Sequence, residues 1–219
     1  MKISKKLQNI APYDPTVLVD GVKLDANESY RNLDEELSAR IAQAVAEAAF
    51  NRYPDPFATE LCEAAANYYG VKPEQVVAGN GSDELISILF TTFFEKGSRI
   101  AIAEPDFSMY RFYAELSELN VISYPKQNLR IDPDALIQAA QDADALIFSN
   151  PCNPTGVGLS RTEVLRIVRS LRCLVIVDEA YMEFWDQSVI DEVENFDNLL
   201  ILRTCRNSAR LCGGKQNRN

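Results

Sequence analysis

The feature that most constrains the fold is an apolar run that ends in an acid. Three of the four residues in Leu174–Val177 are β-branched, and the run is unbroken. Such runs are typical of buried parallel strands, because both faces of those strands are covered. Asp178 follows directly, and open α/β sheets bind ligands outside the carboxyl ends of their strands. The pattern predicts a carboxylate at a ligand-binding edge, although an acid after a strand also occurs without such a role.

A second stretch with the same organisation precedes the first. Ala145–Phe148 is another buried run, and residues 149–156 then read Ser-Asn-Pro-Cys-Asn-Pro-Thr-Gly. Each proline disfavours helical backbone at the residue before it, Asn150 and Asn153, so the loop is stiff. A rigid loop with polar amides suits a small planar ligand. The competing interpretation is an ordinary strand-to-helix turn before residues 160–163.

Helical and strand patterns alternate along the rest of the chain. Apolar residues three and four apart predict an amphipathic helix over residues 34–50. Further helices are predicted over residues 59–69, 85–94, 134–140 and 160–171, with another ending at residue 118, and strands over residues 76–78, 99–103, 121–124, 145–148, 174–177 and 199–202. This alternation predicts an α/β fold with a mostly parallel sheet and helices on both faces.

A glycine-rich segment, Gly-Asn-Gly-Ser-Asp-Glu at residues 79–84, joins a predicted strand to a helix. It is not the dinucleotide fingerprint, because Glu84 stands where that motif has its third glycine. The first turn of a helix has unpaired amides and positive dipole character, so Gly81, Ser82 and Asp83 are predicted to bind a phosphate group. The alternative is that Ser82 and Asp83 only cap the helix.

Composition excludes several classes of protein. The 219-residue chain has 22 basic and 32 acidic residues, which disfavours nucleic acid and acidic membranes as partners. It has no histidine, which excludes Ser-His-Asp and histidine-dependent zinc hydrolases, and five cysteines without C-x-x-C spacing, which we interpret as reduced thiols with no metal site. Because no apolar run approaches the ~20 residues of a membrane span and no signal peptide is evident, we expect a cytoplasmic protein.

The two loop motifs resemble those of the fold-type I, pyridoxal-phosphate-dependent aminotransferases, and most of all the histidinol-phosphate aminotransferase family. The resemblance rests on Asn-Pro-Cys-Asn-Pro-Thr-Gly at residues 150–156 and Val-Asp-Glu-Ala-Tyr at residues 177–181, and it extends from Ile10 to Cys205. It implies a pyridoxal phosphate cofactor and a homodimer. It also implies transfer of an amino group between glutamate and imidazole-acetol phosphate in histidine biosynthesis.

The resemblance assigns residues to the cofactor ring. Asp178 would keep a proton on the pyridine nitrogen, since a buried carboxylate favours the protonated ring. Asn153 and Tyr181 would donate hydrogen bonds to the phenolate oxygen, and Tyr110 would stack on the ring. Tyr113 is a competing aromatic that we assign to the core, and a core position is also the alternative for Tyr181.

The same resemblance assigns the remaining contacts. Residues 81–83 would hold the cofactor phosphate, and Thr204 belongs to the matching segment after the last strand. Tyr53, in a Tyr-Pro-Asp turn, would reach across a dimer interface to the phosphate in the partner subunit's site; its alternative is an ordinary turn aromatic. Asn27 would lie in an arm over the substrate mouth, and its alternative is a surface loop.

The Schiff-base lysine of the family is absent from its expected place. Arg203-Thr204-Cys205 matches the family, but Asn207 then stands where the lysine is expected, and Lys215 lies eight residues later. An amide cannot form a Schiff base, so no catalytic residue is assigned. Residues 203–219 include five basic and no acidic residues. We therefore expect residues 206–219 to be an aberrant tail from a frameshift or a truncated gene.

These observations predict three parts and leave two functional classes open. The parts are an N-terminal arm over residues 1–30, a partial cofactor-binding domain over residues 31–205 and the tail over residues 206–219. The first class is an incomplete aminotransferase that is inactive without its lysine, and the second is a non-enzymatic remnant. Within the first class, aromatic aminotransferases and threonine-phosphate decarboxylase share these motifs.

Overall fold

The computed structural model describes Ser4, Lys6, Asn27 and residues 32–205. The chain divides into two compact units. The described part of the larger unit comprises Ser4, Lys6 and residues 79–204, and that of the smaller unit comprises Asn27, residues 32–78 and Cys205. The predicted boundaries at residues 30 and 205 stay predictions, because residues next to both lie outside the described part.

The larger unit is built on a parallel five-stranded sheet with the strand order β2-β1-β3-β4-β5. The strands are β1 (Arg99–Glu104), β2 (Asn120–Pro125), β3 (Ala145–Ser149), β4 (Leu174–Asp178) and β5 (Leu199–Leu202). Parallel neighbours need crossover connections, and helices supply them after β1, β2 and β3. These helices are α4 (Met109–Leu116), α5 (Pro133–Ala140) and α6 (Arg161–Ser170), and α3 (Gly81–Thr92) precedes β1.

Alternating residues of the central strands divide the core between the two faces of the sheet. Ile102, Ile147 and Ile176 pack on one face with α3 and α4. Leu146 and Val177 pack on the other face with α5 and α6. Because strand side chains alternate between faces, an unbroken apolar run is what a strand covered on both sides requires. The predicted α/β fold with helices on both faces is confirmed.

Local signals explain where two of the helices begin. The side chain of Asp132 caps α5 by accepting hydrogen bonds from the backbone N–H groups of Asp134 and Ala135. Ser160 and Glu163 form a reciprocal capping box at the start of α6. Both caps pair amide groups that would otherwise lack partners in the first helical turn.

The structure corrects several predicted boundaries. Residues 76–78, predicted as a strand, have no strand partner in the described part of the chain, and Val77 is 78% exposed. A strand needs a neighbour to pair its backbone groups, and the sequence pattern alone does not supply one. The helix predicted over residues 85–94 begins earlier, at Gly81. The predicted strands of the sheet are all present, and their ends differ by at most one residue from the observed ones.

The smaller unit contains α1 (Glu35–Glu47) and α2 (Thr59–Tyr69). Asp34 caps α1 by accepting a hydrogen bond from the N–H of Leu37. Although α1 is amphipathic as predicted, none of its residues is buried, and Ile41 and Val45 are about half exposed. Gly70 ends α2 in the left-handed region, with φ of 74°.

Two common features are absent from the described residues. No helix there has the length and apolar character needed to cross a membrane. No group of three or more histidine, cysteine or acidic side chains in that part of the chain is arranged to hold a metal ion.

We expect Ile176→Ala to destabilise the larger unit by about 2–5 kcal/mol, because it deletes methyl groups from a fully buried position and leaves a cavity. Urea unfolding followed by circular dichroism measures the change. Ile88→Ala is the matched control, since Ile88 is 47% exposed on α3. Equal losses for the two variants would contradict the assignment of Ile176 to the core.

Candidate functional site

The predicted functional residues of the larger unit converge on one edge of the sheet. All five strands are parallel, so their carboxyl ends lie at the same edge. The chain crosses from β1 to β2 on one side of the sheet and then returns to build β3, β4 and β5 on the other. The strand order therefore reverses between β1 and β3, which is where open α/β sheets have their ligand crevice.

Asp178 is the last residue of β4 and is 4% exposed. Its Oδ2 accepts a hydrogen bond from the Tyr110 hydroxyl at 2.6 Å, and its Oδ1 accepts one from the Ala180 N–H at 2.9 Å. Burial raises the pKa of Asp178 from 3.8 to about 6, and the two hydrogen bonds only partly offset this rise. The negative charges of Asp106 and Glu179 raise it further.

Charge balance sets Asp178 apart from the other buried acids at this edge. Asp106 forms an ion pair with Lys126 at 2.9 Å, and Glu179 forms one with Arg203 at 2.9 Å. In the part of the chain that the structure describes, no cation is paired with Asp178, and both of its hydrogen-bond donors are neutral. The site therefore contains a buried negative charge that a bound cation would compensate.

The two adjacent acids serve different partners. Glu179 is 1% exposed, and its carboxylate accepts hydrogen bonds from the Ser188 hydroxyl and the Val189 N–H. Burial raises the pKa of Glu179, and Arg203 opposes that rise. Glu179 thereby ties the loop after β4 to the end of β5, while Asp178 remains with Tyr110.

A chain of contacts connects Asp106 to the loop that carries Asn153. The Asp106 carboxylate accepts hydrogen bonds from both the N–H and the hydroxyl of Ser149, the last residue of β3. The Ser149 hydroxyl oxygen in turn accepts one from the Asn153 N–H at 3.1 Å. Ser149 is also the β-ladder partner of Asp178. The backbone of Asn153 is therefore fixed next to the strand end that carries Asp178.

Asn150 closes the base of the same loop. It is 1% exposed, and its side-chain amide exchanges two hydrogen bonds with the backbone of Leu159. Asn150 is thus structural, whereas Asn153 is partly exposed. The interpretation of this segment as a strand-to-helix turn is correct in part, because α6 follows it with its own cap. The residues between Asn150 and Leu159 nevertheless form a closed loop at the carboxyl end of the sheet.

The amino end of α3 is the predicted phosphate site. Since α3 packs on the sheet and its carboxyl end leads into β1, its first turn lies toward the carboxyl ends of the strands. Asn80 is the N-cap residue but makes no side-chain capping bond, and its amide instead donates to Glu84. The alternative in which Ser82 and Asp83 cap the helix is wrong, because both lie inside it. A substituted Cβ at Gly81 would meet open space, so this face of the turn is accessible.

Tyr110 has a different environment from the one that the resemblance implies. It is completely buried, its ring makes an edge contact with Phe107, and burial together with the charge of Asp178 raises the pKa of its hydroxyl well above 10. Stacking on a cofactor ring would require one face of this ring to open. The structure instead joins the Tyr110 hydroxyl to the Asp178 carboxylate by a hydrogen bond. Tyr113 is partly buried against the same core, as predicted.

For the other predicted residues, the structure gives their location and their exposure. Tyr181 and Thr204 follow β4 and β5 at the same sheet edge, and both are partly exposed. Asn27 is exposed with a left-handed backbone, φ 51°, and Tyr53 is fully exposed, and both belong to the smaller unit. Asn207 lies outside the described residues, so the prediction about the lysine position concerns sequence alone.

Sequence reasoning missed the Lys126–Asp106 pair. Lys126 follows an edge strand in the segment Tyr-Pro-Lys-Gln, which has the composition of a surface loop. Its burial results from the packing of that segment against the loop after β3, and no local pattern reports such packing.

Comparisons with known proteins identify the family. The sequence model for "Aminotransferase class I and II" matches residues 19–209. The chain therefore belongs to the class I and II aminotransferase family. Its parallel sheet with helices is the fold of the pyridoxal-phosphate-dependent aminotransferases.

Several relatives of the chain are histidinol-phosphate aminotransferases. The chain is 39% identical to the histidinol-phosphate aminotransferase of Clostridium kluyveri over 92% of its own length, and 38% identical to that of Pyrococcus furiosus over 94%. It spans 58% and 61% of those proteins. The crystal structure of the Sinorhizobium meliloti histidinol-phosphate aminotransferase in complex with pyridoxal-5'-phosphate matches with a TM-score of 0.76 and 23% identity. That match covers 83% of this chain and 50% of the other.

We expect Asp178→Asn to remove a pH-dependent loss of stability. Because the pKa of Asp178 is higher in the folded state, folding binds a proton between pH ~4 and ~6, and the free energy of unfolding falls as pH rises through that window. Two pKa units correspond to about 3 kcal/mol, so the variant should be more stable by up to that amount at pH 7 and equal near pH 3.5. Urea unfolding at several pH values measures this. The exposed acid variant Asp142→Asn should leave the pH profile unchanged.

Proposed function

We propose that this chain is the cofactor-binding part of a pyridoxal-phosphate-dependent aminotransferase of the histidinol-phosphate type. The observation that carries the proposal is the buried carboxylate of Asp178, which has no cationic partner among the described residues. A protonated pyridine nitrogen is a cation that would compensate the charge of this carboxylate. The uncapped first turn of α3 would supply the second requirement, a place for a phosphate group.

Each residue would have a defined task. Pyridoxal phosphate, when bound, supplies an aldehyde and a ring that accepts electrons from the substrate. Asp178 would hold the proton on the ring nitrogen, and the hydrogen bonds from Tyr110 and Ala180 would keep its carboxylate in one orientation. Asn153 and Tyr181 would donate hydrogen bonds to the phenolate oxygen and favour its charged form.

The phosphate would lie against the first turn of α3 at Gly81, Ser82 and Asp83, with Thr204 nearby in the segment after β5. Because the N–H of Gly81 already donates to the carbonyl oxygen of Gly79 at 2.9 Å, the amides of Ser82 and Asp83 would be the donors. No basic side chain is needed for this, because the amide groups and the helix dipole already favour an anion. Burial raises the pKa of Asp83, whose carboxyl group belongs to the same turn.

The substrates follow from the relatives and not from the site. Two curated relatives at 38–39% identity are histidinol-phosphate aminotransferases, so we propose glutamate and imidazole-acetol phosphate as the amino donor and acceptor of the complete enzyme. Threonine-O-3-phosphate decarboxylase from Porphyromonas gingivalis also matches, with a TM-score of 0.68 and 24% identity, which reflects the shared fold alone.

Two further proposals concern assembly and location. We propose that the family's homodimer applies here, with Asn27 at the substrate mouth and Tyr53 reaching the partner subunit's phosphate site. Full exposure of Tyr53 and the exposed apolar residues of α1 support a surface that a second chain covers. We propose a cytoplasmic location, which the unpaired state of all four described cysteines supports.

By itself, the chain is proposed to bind the cofactor without turning over substrate. Transamination requires a primary amine that holds the aldehyde and then moves a proton, and Asn207 replaces that amine in the resemblance. The non-enzymatic class is the second candidate, and this substitution is the observation that favours it. The two candidates differ in whether a lysine of this chain reacts with the aldehyde.

The first test is pyridoxal phosphate binding by equilibrium dialysis. We expect Asp178→Asn to weaken binding about 10- to 100-fold, because a hydrogen bond to a charged group contributes about 1.5–3 kcal/mol. Asp142→Asn is the matched control and should bind like the wild-type chain. No saturable binding by the wild-type chain, or equal affinity of the two variants, would refute the proposed site.

The second test is borohydride reduction of the chain with pyridoxal phosphate, followed by peptide mass spectrometry. We expect no adduct on any defined lysine, because the residue in the Schiff-base position is an amide. Stoichiometric labelling of a single lysine would overturn the inactive assignment and would identify a replacement amine. An Asn207→Lys variant tests the position directly, since it should gain an adduct at residue 207 if the correspondence is correct.

A further inference from the structure

Lys126 is an unusual lysine, because its ammonium group is buried and saturated with hydrogen bonds. Its side chain is 1% exposed. Nζ lies 2.8 Å from the carbonyl oxygen of Pro105, 2.9 Å from Oδ2 of Asp106 and 3.0 Å from Sγ of Cys152. An ammonium group has three protons, so these three acceptors satisfy it completely.

The third acceptor, Cys152, is also buried and is fixed by its surroundings. It is 5% exposed, and its Sγ is 3.6 Å from the Pro105 carbonyl oxygen. Its loop is closed by Asn150, as described above, which limits the movement of the thiol. Two other described cysteines, Cys62 and Cys173, are at least partly buried. Neither is hydrogen-bonded to a lysine among the described residues.

A cavity gives small molecules access to this pair. Its volume is about 210 Å³, and its lining includes Lys126, Cys152 and Gly158. Several waters fit in such a volume, so a molecule as small as hydrogen peroxide fits beside the two residues that carry these atoms. Amine and thiol are thus held together in a space that admits an oxidant.

We propose that Lys126 and Cys152 form an oxidative modification site, in which hydrogen peroxide joins Nζ and Sγ through one bridging oxygen atom. The proposal concerns these side chains alone and is independent of cofactor binding. The observed separation of 3.0 Å supports a bridge of this length. An N–O bond and an O–S bond that share one oxygen atom hold nitrogen and sulfur slightly closer together than this distance. A direct sulfur–nitrogen bond would require the two atoms to move much closer together.

The reaction balances with two molecules of peroxide. The first oxidises the thiol to a sulfenic acid: the S–H bond breaks, an S–O bond forms and one water leaves. The second oxidises the neutral amine to a hydroxylamine, with formation of an N–O bond and release of a second water. The hydroxylamine oxygen then attacks the sulfenic sulfur, the original S–O bond breaks, and its hydroxyl leaves as a third water.

Asp106 supplies the proton transfer that this chemistry needs. The lysine must lose a proton before its nitrogen can react, and the Asp106 carboxylate lies 2.9 Å away to accept it. Burial raises the pKa of Asp106, and the charge of Lys126, which opposes that rise, is lost once the amine gives up its proton. The product carries no charge on nitrogen, and the proton stays on Asp106. Formation of the bridge therefore converts a buried ion pair into two neutral groups.

The test treats the purified chain with hydrogen peroxide and measures its intact mass. We expect a species that has gained one oxygen atom and lost two hydrogen atoms, and that dithiothreitol returns to the original mass. A sulfenic acid would gain one oxygen without losing hydrogen, and a direct sulfur–nitrogen bond would lose two hydrogens without gaining oxygen. After trypsin, the segments that contain Lys126 and Cys152 should remain joined.

Matched variants decide the assignment. Cys152→Ser keeps an acceptor for Lys126 and should abolish the bridged species, whereas Cys173→Ser should still form it. The double variant Lys126→Met with Asp106→Asn removes the amine without leaving a buried charge, and it should give only ordinary cysteine oxidation. The wild-type chain in denaturant should also fail to form the bridge. Peroxide treatment that yields only sulfenic, sulfinic or sulfonic acid in the folded chain, or no change, would overturn the proposal.

Discussion

The site depends on one constraint, the burial of a carboxylate at the end of a strand without a cation beside it. Water cannot solvate Asp178, and among the residues that the structure describes only the neutral Tyr110 hydroxyl and the Ala180 N–H stabilise its charge. Desolvation therefore raises its pKa to about 6. A strand end that keeps such a group instead of an apolar residue loses stability, and a bound cation would compensate for that loss. The rest of the edge keeps that group in place.

The two neighbouring acids, Asp106 and Glu179, differ from Asp178 because each has a cationic partner. Lys126 neutralises Asp106, and Arg203 neutralises Glu179, so two of the three buried carboxylates make ordinary ion pairs. A buried pair that is complete does not attract a further ion, whereas a single unpaired charge does. The pairs also have mechanical roles, since Asp106 holds the loop after β3 through Ser149, and Glu179 holds the loop after β4.

Much of this architecture could be predicted from the sequence, and the reason is visible in particular residues. Runs such as Leu174–Val177 are apolar at every position because both sheet faces are covered, so the strands and their carboxyl ends were identifiable. The different directions of Asp178 and Glu179 also follow from the sequence, since adjacent residues of an extended segment point to opposite sides. In contrast, Lys126 is defined by its packing against Cys152, which is distant in sequence. Residues 76–78 have the composition of a strand, but a strand exists only where another strand pairs with it. The orientation of the Tyr110 hydroxyl toward Asp178 likewise depends on where α4 lies on the sheet.

The placement of Asp178 and Glu179 side by side has a consequence for how the chain can vary. One carboxylate serves the crevice and its neighbour anchors a loop, and their separation rests on the two-residue repeat of the strand before them. Deleting or inserting a single residue within Leu174–Val177 would shift the side chains that follow by one position, so Asp178 would no longer occupy the strand-end position beside Tyr110. Apolar substitutions of similar volume within this strand leave both acids in place, whereas a change in its length does not.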